Sequence, residues 1–335
     1  MDIAWYALLG LFTVAYLVLG GYDYGVGLLL ATTGRPEQRR LALTAVGPFF
    51  LGNEVWLVAA VGILFGAFPR LEGELLAALY PAVAVAVAGV ILVTAAVQSR
   101  SRPAGERARA RWDRTIVVGS GLAAFGWGAV LAGLLQGVPL RADGHVTGVG
   151  PVLSPFVAAG GLALVALLAV HGAAFLGLRL PNGPAERAGR IGRRLVPVAL
   201  AAVGLAAVLG LLSDRVRHAV RQPVPAVLLV ALLGAALLGA GWAFARRRPG
   251  IAFAATSLAV ALPVLLVAAG TWPYALVSAV DPAASLTVAD AAAGEPTLRL
   301  LSWLMLPLLP VLLGAQLACW WLFRGRVGPQ APVYW

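Results

Sequence analysis

Three side chains of this 335-residue sequence could do chemistry where ionisable groups are expensive: Asp23, Glu54 and His171 each lie well inside an apolar run. At the centre of a bilayer an unpaired charge costs at least about 2.5 kcal/mol, so such a group faces a protein interior and marks a functional-site hypothesis. Asp23 stands in Gly20-Gly21-Tyr22-Asp23-Tyr24-Gly25-Val26-Gly27, whose glycines admit a second helix or a cofactor edge beside the carboxylate. A carboxylate there can relay protons or pair with a cation; as a plain structural residue it would be a neutral Asp bonded to backbone or to a Tyr hydroxyl. Glu54 lies in Gly52-Asn53-Glu54-Val55-Trp56, soon after Gly47-Pro48, and with Asn53 and Trp56 it makes a polar knot suited to proton handling.

His171, followed by Gly172, has two readings: an interhelical hydrogen-bond partner, or a ligand. Haem iron needs axial donors, usually His, Met or Cys. His145 and His218 fall between apolar runs, Met1 is terminal, and Met305, Cys319 and His171 stand alone on theirs. A multihaem core cannot rest on these donors. Zinc-type His clusters are absent, so neither a bound metal nor a cofactor held by this chain is expected. The lone Cys319 can form no intramolecular disulfide and reads as a small packing residue.

The elements that must position these groups follow from composition. The chain is 61% hydrophobic and 12% charged, against roughly 25% charged in soluble domains. Its mean hydropathy is +0.89, and the apolar excess is gathered in runs of about twenty residues, the length that spans hydrocarbon. This excludes a soluble globular protein. The fold class expected is all-α, a polytopic membrane helical bundle forming one membrane domain over 1–335. Nine spans are expected, near 4–32, 43–68, 76–98, 115–136, 155–178, 195–212, 225–245, 251–270 and 299–323. The N-terminus carries no basic n-region or A-x-A cleavage site, so its first run reads as a retained helix.

All 25 basic residues are Arg, and 19 of them fall after spans one, three, five and seven or in the C-terminal tail. By the positive-inside rule those segments are cytoplasmic, which puts the N-terminus outside and the C-terminus inside. The net charge of +11 is then mostly a topology signal, with no nucleic-acid meaning; P-loop, dinucleotide and aromatic-interleaved basic motifs are absent. The densest cationic stretch, from Arg100 to Arg114, reads as topology plus contact with anionic lipid head groups, or as a dock for a partner's loop. The segment from Thr271 to Leu298 is the longest outside the spans and carries an acidic excess; its Trp272-Pro273-Tyr274 start suits the interfacial aromatic belt.

Several segments together resemble subunit II of the cytochrome bd quinol oxidases. They are Gly21-Tyr22-Asp23-Tyr24-Gly25-Val26-Gly27 with Arg39-Arg40, Gly52-Asn53-Glu54-Val55-Trp56-Leu57 with Phe65-Gly66-Ala67-Phe68-Pro69, and Arg111-Trp112-Asp113. The order continues through Leu134-Leu135-Gln136-Gly137-Val138-Pro139, Ser154-Pro155-Phe156, Gly270-Thr271-Trp272-Pro273-Tyr274 and Ala284-Ser285-Leu286-Thr287. The resemblance covers nearly the whole chain. It implies a nine-helix subunit of a bacterial cytoplasmic-membrane respiratory enzyme, not catalytic alone, that pairs with subunit I. Subunit I would carry haem b and haem d, oxidise quinol and reduce dioxygen to water. Subunit II would contribute packing, a quinone-like lipid bound in some members, and part of a proton route; a small accessory subunit and membrane lipid complete the partners implied. Asp23 and Glu54 become the proton-transfer candidates, Asn53 and Trp56 shape their surroundings, and Arg100, Trp112 and Asp113 stabilise the region between spans three and four or the inter-subunit contact.

Two departures accompany the resemblance. Gly20 stands where the family commonly has an acid three residues before Asp23, and Phe50-Leu51 stands where it has Trp-Asp. Either Glu54 and Asp23 with ordered water take over the proton route, or subunit I alone supplies protons, or the chain is a divergent relative with another partner. The rival from a different class is a secondary transporter or ion-conducting protein, which also uses intramembrane carboxylates and glycine-broken helices.

Overall fold

The computed structural model describes residues 1–102, 105–143, 146, 148 and 150–328; His145 lies outside them. Its helices are α1 (Asp2–Leu29), α2 (Pro36–Ala67), α3 (Pro69–Ala78), α4 (Tyr80–Ser99), α5 (Glu106–Gln136) and α6 (Pro155–Arg179). They continue with α7 (Asn182–Leu212), α8 (Asp214–Ala219), α9 (Pro223–Ala245), α10 (Pro249–Gly270), α11 (Val288–Ala291) and α12 (Glu295–Leu322). Among the described residues nine of these are long and apolar enough to cross a membrane: α1, α2, α4 to α7, α9, α10 and α12. An odd number of crossings puts the two termini on opposite sides.

Several helices start well before the hydropathy pattern does: α2 begins at Pro36 and not near 43, α5 at Glu106 and not near 115, α7 at Asn182 and not near 195. The reason is physical. A helix does not end at the bilayer edge; 31 residues of α7 measure about 46 Å, longer than the roughly 30 Å of hydrocarbon, so its charged first turns stand clear of it. Starts are set by local chemistry instead. Proline occupies the first turn of α2, α6, α9, α10 and α12, where its missing N–H costs nothing. Ser154 caps α6 by accepting from the Val157 N–H at 3.2 Å. The expected third span, 76–98, is two helices: α3 ends at Ala78 and α4 starts at Tyr80, with Pro81 in its first turn.

The bundle is assembled by close backbone approach. Gly25 of α1 and Gly172 of α6 face each other so tightly that a Cβ on either would enter the other helix's backbone. Gly89 of α4 and Gly119 and Gly126 of α5 do the same for that pair. Without a hydrophobic driving force between helices in lipid, such contacts supply packing and dispersion. Helix α6 is the most enclosed, touching α1, α5, α7 and α10. Helix α12 is peripheral: only its Leu298 is buried, and it is tied on through polar contacts to α1 and α2.

The segment after α10 is ordered. Strand β1 (Tyr274–Leu276) pairs antiparallel with β2 (Leu286–Thr287), and Thr287 and Asp290 form a capping box that opens α11. Val138, just past α5, donates to the Val277 carbonyl at 2.9 Å, and Ala293 donates to Ala67 at 2.8 Å. With α3 and α8, this hairpin gathers on the side reached by the even-numbered crossings, the Arg-poor side. Trp272 is partly exposed and the Tyr274 ring lies under the Arg221 guanidinium at 5.3 Å.

Candidate functional site

Asp23 is buried on α1, and its Oδ2 accepts from Asn53 Nδ2 of α2 at 2.9 Å. The same nitrogen reaches the Leu19 carbonyl at 2.9 Å and the Tyr22 hydroxyl at 2.8 Å. Asn53 is fully buried, and its two N–H bonds serve three acceptors around the fifth and sixth turns of α1. The Asn53 carbonyl oxygen in turn accepts from Gln316 Nε2 of α12 at 3.4 Å, and Gln316 Oε1 accepts from Trp56 Nε1 at 3.2 Å. Asp23, Asn53, Gln316 and Trp56 therefore form one chain of hydrogen bonds through α1, α2 and α12.

Glu54, one residue on, faces elsewhere. Its Oε1 accepts from Thr94 Oγ1 of α4 at 2.6 Å, and the side chain is half-buried near the rim. The polar knot expected at Asn53, Glu54 and Trp56 thus divides: Asn53 and Trp56 point inward and Glu54 points to α4. Helical geometry sets this, since neighbours in sequence are turned about 100° apart.

His171 of α6 uses both ring nitrogens. Nε2 lies 2.9 Å from the Val18 carbonyl of α1 and Nδ1 lies 2.9 Å from Thr256 Oγ1 of α10. A carbonyl only accepts, so Nε2 carries a proton toward Val18, while Nδ1 meets the Thr256 hydroxyl, which also reaches the Phe253 carbonyl at 3.0 Å. This side chain joins three helices beside the Gly25–Gly172 crossing and offers no free nitrogen to a haem iron. Next to it Tyr22 stacks on Phe175 at 4.1 Å with planes 2° apart, and Phe49, Phe253 and Trp320 complete an aromatic cluster.

Asp113 of α5 is buried and held by two cations. Arg100, just past α4, bonds its Oδ1 through Nε and its Oδ2 through a terminal nitrogen at 3.4 Å, while Arg39 of α2 reaches Oδ2 at 3.3 Å. Arg39 also donates from Nε to the Thr33 carbonyl at 2.8 Å. Trp112 is half-buried against the core beside this group. The structure therefore separates the predicted residues into two clusters: Asp23, Asn53 and Trp56 with Glu54 nearby, and Arg100, Trp112 and Asp113 at the ends of α2, α4 and α5.

Residues that the sequence did not single out take part as well: Gln316 bonds Asn53 and Trp56, Thr94 bonds Glu54, Thr256 meets His171, and Trp127 bonds Tyr16. All are uncharged positions on largely apolar helices. An uncharged polar group on an apolar helix is the one signal that could have found them, and it is a weak one, because such groups also sit singly against lipid or a local carbonyl.

The comparisons with known proteins bear on what this arrangement serves. A family model described as cytochrome bd terminal oxidase subunit II matches residues 1–323. The chain belongs to that family. A cytochrome bd ubiquinol oxidase subunit 2 from Bacillus subtilis is 27% identical over 334 residues, covering 98% of this chain and 97% of that protein. A cytochrome bd-I ubiquinol oxidase subunit 2 from Escherichia coli is 28% identical over 367 residues, covering 96% and 94%. The solved structure of bd oxidase from Geobacillus thermodenitrificans aligns with a TM-score of 0.74 at 18% identity, covering 96% of this chain and 98% of that one, and shares its fold. Family membership and nine crossing helices make this chain a multi-pass bacterial membrane protein and a subunit of a terminal oxidase complex. The transporter reading has no support among these relatives.

Proposed function

We propose that this chain is the haem-free half of a quinol oxidase, a single membrane domain that packs against subunit I and handles protons through Asp23 and Glu54. Haem b and haem d belong on subunit I, which oxidises quinol and reduces dioxygen to water. The observation that carries the division of labour is His171, whose two nitrogens are both spent on α1 and α10. Cys319, another donor, gives its S–H to the Pro48 carbonyl at 3.5 Å. Neither of these two donors thus offers a free axial position to a haem.

The proton role rests on a buried carboxylate whose second oxygen, Asp23 Oδ1, is unpaired among the described residues. A group in that condition is costly unless it exchanges a proton or finds a mobile partner. Orientation follows the Arg bias, with the N-terminus outside and the C-terminus cytoplasmic, and anionic lipid contacts the Arg-rich segment before α5. The cleft between α1, α2, α6 and α7 has a volume of about 40 Å³, far below the roughly 300–1,000 Å³ of small-molecule sites, whereas the open groove lined by Glu295, Arg299, Leu300 and Trp303 reaches about 420 Å³; a quinone-like lipid and a small accessory subunit belong to the proposed complex.

Co-purification tests the proposal. In mild detergent the tagged chain should bring down a second polytopic protein with b- and d-type haem absorbance and quinol oxidase activity. Colourless, solitary elution from membranes that retain the oxidase would refute it.

A further inference from the structure

Asp23 meets the buried polar groups around it with one oxygen: Oδ2 is taken by Asn53, and Oδ1 has no partner among the described residues. Two turns earlier on the same helix face, Tyr16 lies along α1 toward it. The lack of a side chain at residue 20 permits this, since a Cβ there would stand 3.1 Å from Tyr16 Cε2. The Tyr16 hydroxyl is 2.6 Å from that of Tyr24, and Trp127 Nε1 of α5 donates to Tyr16 at 3.0 Å.

Counting hydrogens exposes a mismatch. The indole is a pure donor, and the two phenols share a single hydrogen bond, so one phenolic hydrogen has no acceptor whichever phenol donates. An unmet donor on the Tyr16–Tyr24 pair and an unmet acceptor on Asp23, the chain neighbour of Tyr24, thus occur on one stretch of α1 in the membrane interior, where each costs free energy.

We propose that the Tyr16–Tyr24 pair is joined to Asp23 Oδ1 by a bound water and exchanges protons with it. The inference rests on Asp23 handling protons. A water accepting the surplus phenolic hydrogen and donating to Oδ1 satisfies both orphan groups at once. Transport is by exchange: each phenol oxygen forms one O–H bond as it gives up another, is neutral before and after, and undergoes no oxidation. Trp127 is a positioning residue, holding the Tyr16 oxygen in line.

The test uses the purified two-subunit complex carrying Tyr16→Phe, Tyr24→Phe or Asp23→Asn. Phe keeps the ring over Gly20 and removes only the hydroxyl; should one Phe variant not assemble, the other carries the test, since either breaks the pair. Infrared spectroscopy should show the Asp23 carboxyl band, recognised by its loss in Asp23→Asn, shifting in the Phe variants. Their quinol oxidase turnover should fall several-fold with a larger H₂O/D₂O ratio, while melting temperature and haem spectra stay as in the parent. An unmoved carboxyl band, or Phe variants with parental turnover and isotope ratio beside a slow Asp23→Asn, overturns the phenol link. Full turnover in Asp23→Asn overturns the parent reading instead, and the link's transport role with it.

Discussion

Asn53 on α2 donates to the Asp23 carboxyl on α1 at 2.9 Å, and it is the carboxyl's sole hydrogen-bond donor among the described residues. Replacing Asn53 with Leu therefore strips the buried carboxylate of its donor and removes one of the two bonds from α12's Gln316 to α2, leaving the one from Trp56. Leaving a buried polar group unmatched costs about 1–3 kcal/mol, so Asn53→Leu should lower the melting temperature of the complex and reduce turnover. Asn53→Asp puts two acidic groups together and should be worse than Leu in both. Equal melting temperatures for parent and Asn53→Leu would show that the amide does not support the carboxylate.

Glu54 offers a cleaner separation of structure from proton transfer. Gln retains an Oε1 that accepts from Thr94 and removes the titrating oxygen pair. Turnover in Glu54→Gln should drop while thermal stability holds, whereas Thr94→Val should change stability little and turnover less than Gln does. Unchanged turnover in both Glu54→Gln and Glu54→Ala would remove Glu54 from the proton route.

Asp113 ties α2, α4 and α5 through Arg39 and Arg100. Removing one member of a fully buried ion pair costs about 3–5 kcal/mol; here Asp113 is buried while Arg39 and Arg100 are partly exposed, so water offsets part of that loss. Asp113→Ala should thus cut the yield of assembled complex steeply, while the fraction that assembles keeps normal haem spectra and turnover per haem. A normal yield with altered turnover would point to a direct role in the chemistry.

Glu74, on α3 outside the spans, has a carboxyl pushed above the usual range by burial, with Arg70 opposing the shift. A raised native-state pKa means that the fold holds this proton more tightly than the unfolded chain does. Its contribution to stability is thus fully present below the ordinary glutamate range, from 4.5, and is lost as pH rises through the native value. Amide protection in α3 and the neighbouring hairpin, taken relative to the intrinsic exchange rate at each pH, should fall over that window, and Glu74→Gln should abolish the change. The same pH dependence in the Gln variant would assign it to another group.

What could be read without coordinates depends on what is local. The length of an apolar run and the cost of a charge inside it belong to one segment, so the nine crossings and the placement of Asp23, Glu54 and His171 within them were legible in the sequence. Helix ends were less so, because hydropathy reports the hydrocarbon boundary while backbone hydrogen bonds carry α2, α5 and α7 beyond it. The short α3, α8 and α11 and the β1–β2 hairpin are held by contacts with the ends of α2 and α5, and runs this brief carry little periodicity of their own.

By itself the sequence determined a multi-crossing helical protein, its resemblance to one oxidase family, and which ionisable groups lie within the spans. Only the tertiary structure decided with whom they pair. Asn53 finds Asp23 across 30 residues, Trp56 finds Gln316 across 260, and Arg39 finds Asp113 across 74. Such partners are chosen by which helices cross at glycines such as Gly25 and Gly172, and by the turn of about 100° that sends Asn53 inward and Glu54 toward α4.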